Sequence, residues 1–330
     1  MSTIDYDAFI DDESLSVTPT QRIMRKNRRL TQREKRIRQQ ADLLERAANV
    51  PLEAQPAFNP TFQPARHERA WLLSYMEGFY NNKIITDILH SVKGGKEANV
   101  YCCSAHPDMH LDLLAAKVYR PRMFRNLRND ARYRQGREIL DEEGKPVFGR
   151  REVLAMQKKT RFGQELRHIS WMEAEFTTLE ILLEAGVDVP RPLLHNDNVI
   201  LMEYVGDRDL PAPNLNQVRL EKAEAGRLFE RLVENLQIML SCHRVHADLS
   251  AYNILYWEGQ FKIIDFPQAV DPRRNPEAFD IFQRDVERVC QYFARYRLRL
   301  DPQQLASDMW SKYERINALD ADAQPELPDE

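Results

Sequence analysis

Long apolar runs are missing from this chain: no stretch of its 330 residues approaches the roughly 18 consecutive apolar side chains that a membrane-spanning helix needs. The opening stretch, MSTIDYDAFIDDES, lacks the basic start and apolar centre of a secretory leader, so a cytoplasmic protein is expected. Cysteine is scarce as well. Cys102, Cys103, Cys242 and Cys290 show no C-x-x-C spacing and no histidine at metal-ligand spacing, which argues against a zinc site or a disulfide framework and leaves buried reduced thiols. Charge of one sign is lacking too: a formal net charge of -4 gives no global pull towards nucleic acid. No internal repeat is visible.

What is present is a chain with 43% hydrophobic and 30% charged residues, enough for one large or two ordinary domains. Its charges come in blocks. Residues 1–20 are acidic, whereas QRIMRKNRRLTQREKRIRQQ (21–40) sets nine Lys and Arg against one Glu. Ile23, Leu30, Ile37 and Leu44 recur every seven residues, but Asn27, Glu34 and Ala41 supply no second apolar row for a coiled coil. The segment is either a solvated tail or a basic helix that orders on a phosphate-rich partner such as RNA. Pro51, Pro56, Pro60 and Pro64 mark a linker, and the folded part is expected from near Arg66 to near Ile316.

Within those limits AWLLSYMEGFY reads as helix and DILHSV, ANVYCC and LLAAKVY as short strands. Helical periods follow at 171–185, 217–241 and 278–297, with strands at NVILMEYV, NILYW and FKIIDF. The order predicts an α+β protein of two lobes. The boundaries are 1–66 for the tail and linker, 67–205 for a helical lead-in and strand-rich lobe with an Arg-rich insertion at 120–170, 206–317 for a helical lobe, and 318–330 for an acidic tail.

Several short stretches carry chemistry. In VKGGKEANVY, Gly94 and Gly95 between two strands let backbone N–H groups approach a phosphate and Lys96 adds charge, although a plain hairpin turn reads the same way. It is not a Walker A loop, since Glu97 stands where Ser or Thr would be needed. Lys117 lies among apolar residues on a central strand, where a lysine needs a partner unless it snorkels from an edge. Of the two acids on the helix near Trp171, Glu175 has Leu179 and Leu182 at i+4 and i+7 and so shares the apolar stripe, whereas Glu173 does not; Glu175 is the expected partner. In HADLSAYNILYW, Asp248 can accept a hydrogen bond from an attacking hydroxyl or water and Asn253 can offer a neutral oxygen to Mg2+. Asp265 ends the strand of FKIIDFPQ, placed to hold a metal over phosphates. If the two lobes bind a nucleotide, the connection NVILMEYVGD would read an adenine edge through Glu203 and Val205, with Met202 lining the pocket.

A Gly-containing loop, a strand Lys, a helix Glu, an H-x-D-x-x-x-x-N loop and a D-F-x loop together resemble a protein kinase, and GKEANVY, HADLSAYN and IIDFPQ resemble the RIO family of atypical serine kinases over about residues 68–316. The resemblance implies a trimmed two-lobed kinase fold without an activation loop or peptide-docking helices. It implies ATP and Mg2+ (or Mn2+) as cofactors, with Gly94, Gly95 and Lys96 over the phosphates and Lys117 paired with Glu175. Asp248 would be the catalytic Asp, and Asn253 and Asp265 would hold the metal. Lys93 and Gly94 replace the Ser-Thr usual in type-one members, DFPQ is similar to the type-two metal loop, and Ser250 stands where ordinary kinases have Lys. A type-one-like member of a divergent, bacterial branch is expected.

Two functions follow from the resemblance: transfer of the ATP γ-phosphate to a Ser hydroxyl, including autophosphorylation, or an ATPase switch that forms a phospho-aspartate at Asp265 during assembly of a ribosomal or other RNA-rich particle. The basic 21–40 segment and the Arg-rich 120–170 insertion, with Phe124, Tyr133, Phe148 and Phe162, suit such a particle, though a solvated helical hairpin would have the same composition.

Overall fold

A computed structural model describes residues 57–95, 97–120 and 161–322, apart from the side chains of 67, 161–169 and 320–322. The charged segments at 1–40, Lys96, the insertion from 121 to 160 and the tail after 322 lie outside the described residues.

Helix α1 (Arg66–Asn81) leads in. Its Leu72, Met76 and Phe79, spaced four and three apart, fall on one face and are buried against Ile88, Tyr101 and Leu114 of the sheet. The sheet consists of β1 (Ile85–Gly94), β2 (Ala98–Ala105), β3 (Leu113–Tyr119), β4 (Pro192–His195) and β5 (Val199–Glu203), all antiparallel neighbours in the order β1-β2-β3-β5-β4. Strand β3 is therefore central, and Lys117 lies opposite Val100 on one side and Ile200 on the other. The period of two divides its side chains: Leu114, Ala116 and Val118 join the core under α1, while Ala115, Lys117 and Tyr119 face the cleft.

Helix α2 (Arg161–Glu184) is shared between two cores. Met172 and Phe176 pack with Tyr119, Trp171 and Ile200, whereas Leu179 and Leu182 enter the core of the helical lobe. The expected lobe boundary at residue 205 therefore does not coincide with a boundary in packing. The helical lobe contains α3 (Lys222–Ser241), the hairpin β6 (Ile254–Trp257) and β7 (Gln260–Ile263), α4 (Ala278–Phe293) and α5 (Pro302–Asp322). Leu228, Leu232, Leu236 and Met239 of α3 pack with Ile281, Phe282, Val286 and Val289 of α4 and with Ala306, Met309 and Tyr313 of α5.

The structure also departs from the sequence reading at the start of the folded part, where Phe58 and Phe62 of the expected linker already pack against the core under α1, and in two elements. Strand β4 was hidden by Pro190 and Pro192, and it pairs only with β5, at the sheet edge where proline is tolerated. Helix α5 was not expected, and it runs past Ile316 to Asp322 because Asn-Ala-Leu-Asp-Ala-Asp contains no helix breaker; Leu319 on that last stretch is exposed.

Candidate active site

Between the sheet and the helical lobe lies a cleft of about 420 Å³ lined by Val100, Ala115, Lys117, Met202, Asp248 and Asp265, among others. The small Ala115 leaves room beside Lys117. The Lys117 ammonium donates to Glu175 Oε1 at 2.6 Å and to Asp265 Oδ1 at 2.7 Å, while Glu175 Oε2 accepts from the Tyr119 hydroxyl. Glu175 is 2% exposed, so both of its oxygens are satisfied by residues two apart on one strand. Burial would lower the pKa of Lys117, but Asp265 and Glu175 outweigh it and hold the ammonium well above its ordinary value. Burial would likewise raise that of Asp265, yet the Lys117 charge and hydrogen bond keep its carboxyl below the usual range. Glu173 lies instead 3.4 Å from His195.

The β1–β2 turn closes over the same cleft. The Gly95 N–H donates to the Ala98 carbonyl at 3.0 Å, and a Cβ on Gly95 would meet that oxygen at 2.6 Å, so only glycine fits. Gly94 ends β1 and is not in the cleft wall, whereas Gly95 is. Met202, Glu203 and Val205 line the far wall. The Glu203 N–H is given to the Arg191 carbonyl and the Val205 carbonyl accepts from Ala212 N–H, which commits these two backbone groups within the protein.

The loop from His246 to Asn253 reaches the same cleft through Asp248. Pairing of Ile254 with Ile263 in the β6–β7 hairpin continues outward, so Ile264 N–H bonds the Asn253 carbonyl and Asn253 arrives beside Asp265. The hairpin turns at Glu258 and Gly259, both with positive φ, the geometry that tight hairpins favour. Asn253 Nδ2 donates to the Asp248 carbonyl at 2.9 Å, which leaves its Oδ1 outside that bond. His246 is buried and neutral: Nε2–H donates to the Ile264 carbonyl at 3.0 Å and Nδ1 accepts from Asp248 N–H at 3.3 Å. Burial depresses its pKa, offset in part by the Ile264 bond. Two non-glycine residues here adopt left-handed backbone, Ala247 at φ 70° and Asp265 at φ 74°, strain of the kind that structures retain at functional sites.

Helix α4 holds this strained loop. Asp285 is 1% exposed and accepts from Ala247 N–H at 2.7 Å and from Leu249 N–H at 3.2 Å. Burial pushes its carboxyl up to about 7, against the pull of Arg284 and of the two N–H donors. Arg284 donates to the Ala247 carbonyl, and Arg288 Nη1 lies 3.0 Å from Asp248 Oδ1. Trp171 Nε1 donates to the Pro267 carbonyl at 2.5 Å and anchors the loop after Asp265.

Lys117, Glu175, Asp265 and Asp248 are thus brought together in one cleft that Gly95, Met202, Glu203 and Val205 also line, Asn253 is not in the cleft wall but is bonded to Asp248 beside it, Gly94 adjoins the wall, and Lys96 is outside the described residues. Tyr119, Asp285 and Arg288 were not singled out from sequence. For Asp285 a signal existed: Ile281, Phe282 and Val289 stand at i−4, i−3 and i+4, the same stripe argument that selects Glu175.

Among the described residues no group of three or more His, Cys, Asp or Glu could hold a metal by itself. The donor set nevertheless suits a hard divalent cation that takes one or two protein oxygens and completes its shell with phosphates and water, since Asp265 offers a carboxylate and Asn253 an amide oxygen.

A strand-rich lobe with a buried Lys–Glu pair, joined to a helical lobe that presents two acids to one cleft, defines a protein-kinase-like α+β fold. A family model for the RIO domain matches residues 100–305, and the chain belongs to that family. It is 34% identical over 204 residues to the RIO-type serine/threonine-protein kinase Rio1 of Haloferax volcanii, covering 62% of each chain. It is 29% identical over 223 residues to the serine/threonine-protein kinase rio1 of Schizosaccharomyces pombe (65% of this chain, 40% of that one) and 30% identical over 214 residues to human RIO1 (64% and 34%). The chain therefore spans less than two thirds of these relatives' own lengths. Among solved structures, the Rio2 kinase from Chaetomium thermophilum aligns with a TM-score of 0.45 at 18% identity over 79% of this chain and 71% of that one.

Proposed function

We propose that this protein transfers the γ-phosphate of ATP to a Ser or Thr hydroxyl, its own among them. The observation that carries the reading is the Lys117 ammonium, buried and shared between Glu175 and Asp265 in a cleft that also holds Asp248. A lysine so placed serves anionic phosphates: these compete with Asp265 for the ammonium, while Glu175, held also by Tyr119, keeps the amine in position. The Glu203 carbonyl and Val205 N–H, the backbone groups left after the Arg191 and Ala212 bonds, face the adenine edge, and Gly94, Gly95 and Lys96 cover the phosphates.

Asn253 and Asp265 would hold the divalent cation, Mg2+ by the preference of such oxygen ligands, and that ion would supply charge neutralisation on the phosphates. Asp248 accepts the hydrogen bond of the attacking hydroxyl and aligns its oxygen with the γ-phosphorus. The new P–O bond forms as the bond to the ADP oxygen breaks, and the hydroxyl proton leaves through Asp248. His246 and Asp285 do no chemistry; they fix the loop from below.

The names of the relatives favour a kinase over an ATPase switch built on a phospho-aspartate at Asp265. A cytoplasmic location is proposed with this reading; no helix among the described residues is long and apolar enough to cross a membrane. An RNA-rich partner, such as a ribosomal precursor, is proposed from the charge of 21–40 and 120–170 alone. The test is transfer of γ-phosphate to protein by the wild type and by Asp248→Ala. Loss of transfer in the variant supports the reading, and equal transfer by both would remove Asp248 from it.

A further inference from the structure

The loop from His246 to Asn253 supplies Asp248 and Asn253 but contains no Lys or Arg. Phosphoryl transfer spreads negative charge over oxygens close to the attacking hydroxyl, and catalysis of it depends on positive charge and fixed geometry there. Here a cation comes from outside the loop. Helix α4 carries Arg284, Asp285 and Arg288 on the face that holds the loop, and each takes a different group. Asp285 accepts the N–H groups of Ala247 and Leu249, Arg284 donates to the Ala247 carbonyl, and Arg288 Nη1 lies 3.0 Å from Asp248 Oδ1. The first two contacts fix backbone on either side of Asp248. The third acts on the carboxylate itself. The other oxygen, Oδ2, has Asn253 Nδ2 at 3.5 Å, too long for a strong bond.

The side chains of Arg288 and Asp248 are 40% and 57% exposed, and an ion pair that open contributes little to folding. Its effect is on orientation. A guanidinium on one oxygen of a carboxylate restricts its rotation and leaves the second oxygen for another donor. We propose that Arg288 is a positioning residue for the transfer: it holds Oδ1 of Asp248 so that Oδ2 meets the acceptor hydroxyl, and it brings to that point the positive charge that the loop lacks. The proposal rests on the role given to Asp248 above.

The experiment uses the full chain as wild type, Asp248→Ala, Arg288→Met and Arg288→Lys, and measures kcat, the KM for ATP and the thermal midpoint of each. Arg288→Met should lower kcat by roughly ten- to a hundredfold, the cost of a misplaced catalytic group, with the KM for ATP and the thermal midpoint close to wild type. Arg288→Lys should recover part of kcat. An unchanged kcat in Arg288→Met overturns the proposal, as does a fall in kcat accompanied by an equal rise in KM or a lowered midpoint, or a Lys variant no better than Met. Those outcomes leave the site reading intact provided that Asp248→Ala is inactive. An inactive wild type, or an active Asp248→Ala, overturns the site reading and this proposal together.

Discussion

At the scale of single residues, the cleft depends on charges that cannot be removed singly. Lys117→Met leaves the buried Glu175 without its cation and Asp265 without its partner, so a loss of about 3–5 kcal/mol in unfolding free energy is expected, read by denaturant titration. The same variant should weaken binding of a fluorescent ATP analogue by at least about tenfold, and binding within twofold of wild type would contradict the role of the ammonium. His246 sets a pH dependence. It faces the Ile264 carbonyl, Phe266, Asp248 and Asp265, and its pKa is depressed, so its contribution to stability is complete above its unfolded value of about 6.5 and is lost as pH falls below that. Asp285, raised to about 7, acts in the opposite sense: its contribution is complete below the unfolded carboxylate value and is lost as pH rises through 7. Comparing wild type with His246→Gln cancels that second effect, because both proteins keep Asp285. The difference in unfolding free energy should be flat from pH 8 to 6.5 and fall towards pH 5; a difference flat throughout would show that His246 does not titrate in this way.

At the scale of elements, α4 is more than packing for the helical lobe. Asp285→Ala strands the N–H groups of Ala247 and Leu249 in the interior and should cost about 2–5 kcal/mol while relaxing the left-handed backbone at Ala247. Phosphate transfer should fall with it at temperatures where the variant is still folded. Full transfer under those conditions would mean that the loop holds its geometry without α4. These elements also show what can be read from sequence. The reacting groups were legible because the loop chemistry is compressed into two short stretches, HADLSAYN and IIDF, and because Glu175 shares a stripe with Leu179 and Leu182. Arg284 and Arg288 were not, since charges on an amphipathic helix look the same whether they face water or a loop nearly forty positions away in sequence. Strand β4 was lost behind two prolines whose tolerance depends on an edge position that only the assembled sheet defines.

At the scale of the whole molecule, α2 joins the cluster of Tyr119, Trp171, Phe176 and Ile200 to the core of the helical lobe and carries Glu175 at the point where one gives way to the other. A nucleotide in the cleft touches both lobes and should stabilise both. At a hundredfold excess over its Kd, binding adds about 2.7 kcal/mol, visible as a raised thermal midpoint with ATP and a divalent cation. No rise at saturating nucleotide would contradict the assignment of the cleft. The most direct test of the central claim is the chemical nature of the phosphoryl group the protein acquires. The 330-residue chain incubated with Mg2+ and γ-labelled ATP should carry label that survives hydroxylamine, as a phosphoserine or phosphothreonine ester does, and that is absent from Asp248→Ala. Label released by hydroxylamine and missing from Asp265→Ala would instead identify an acyl phosphate on Asp265 and contradict the kinase reading.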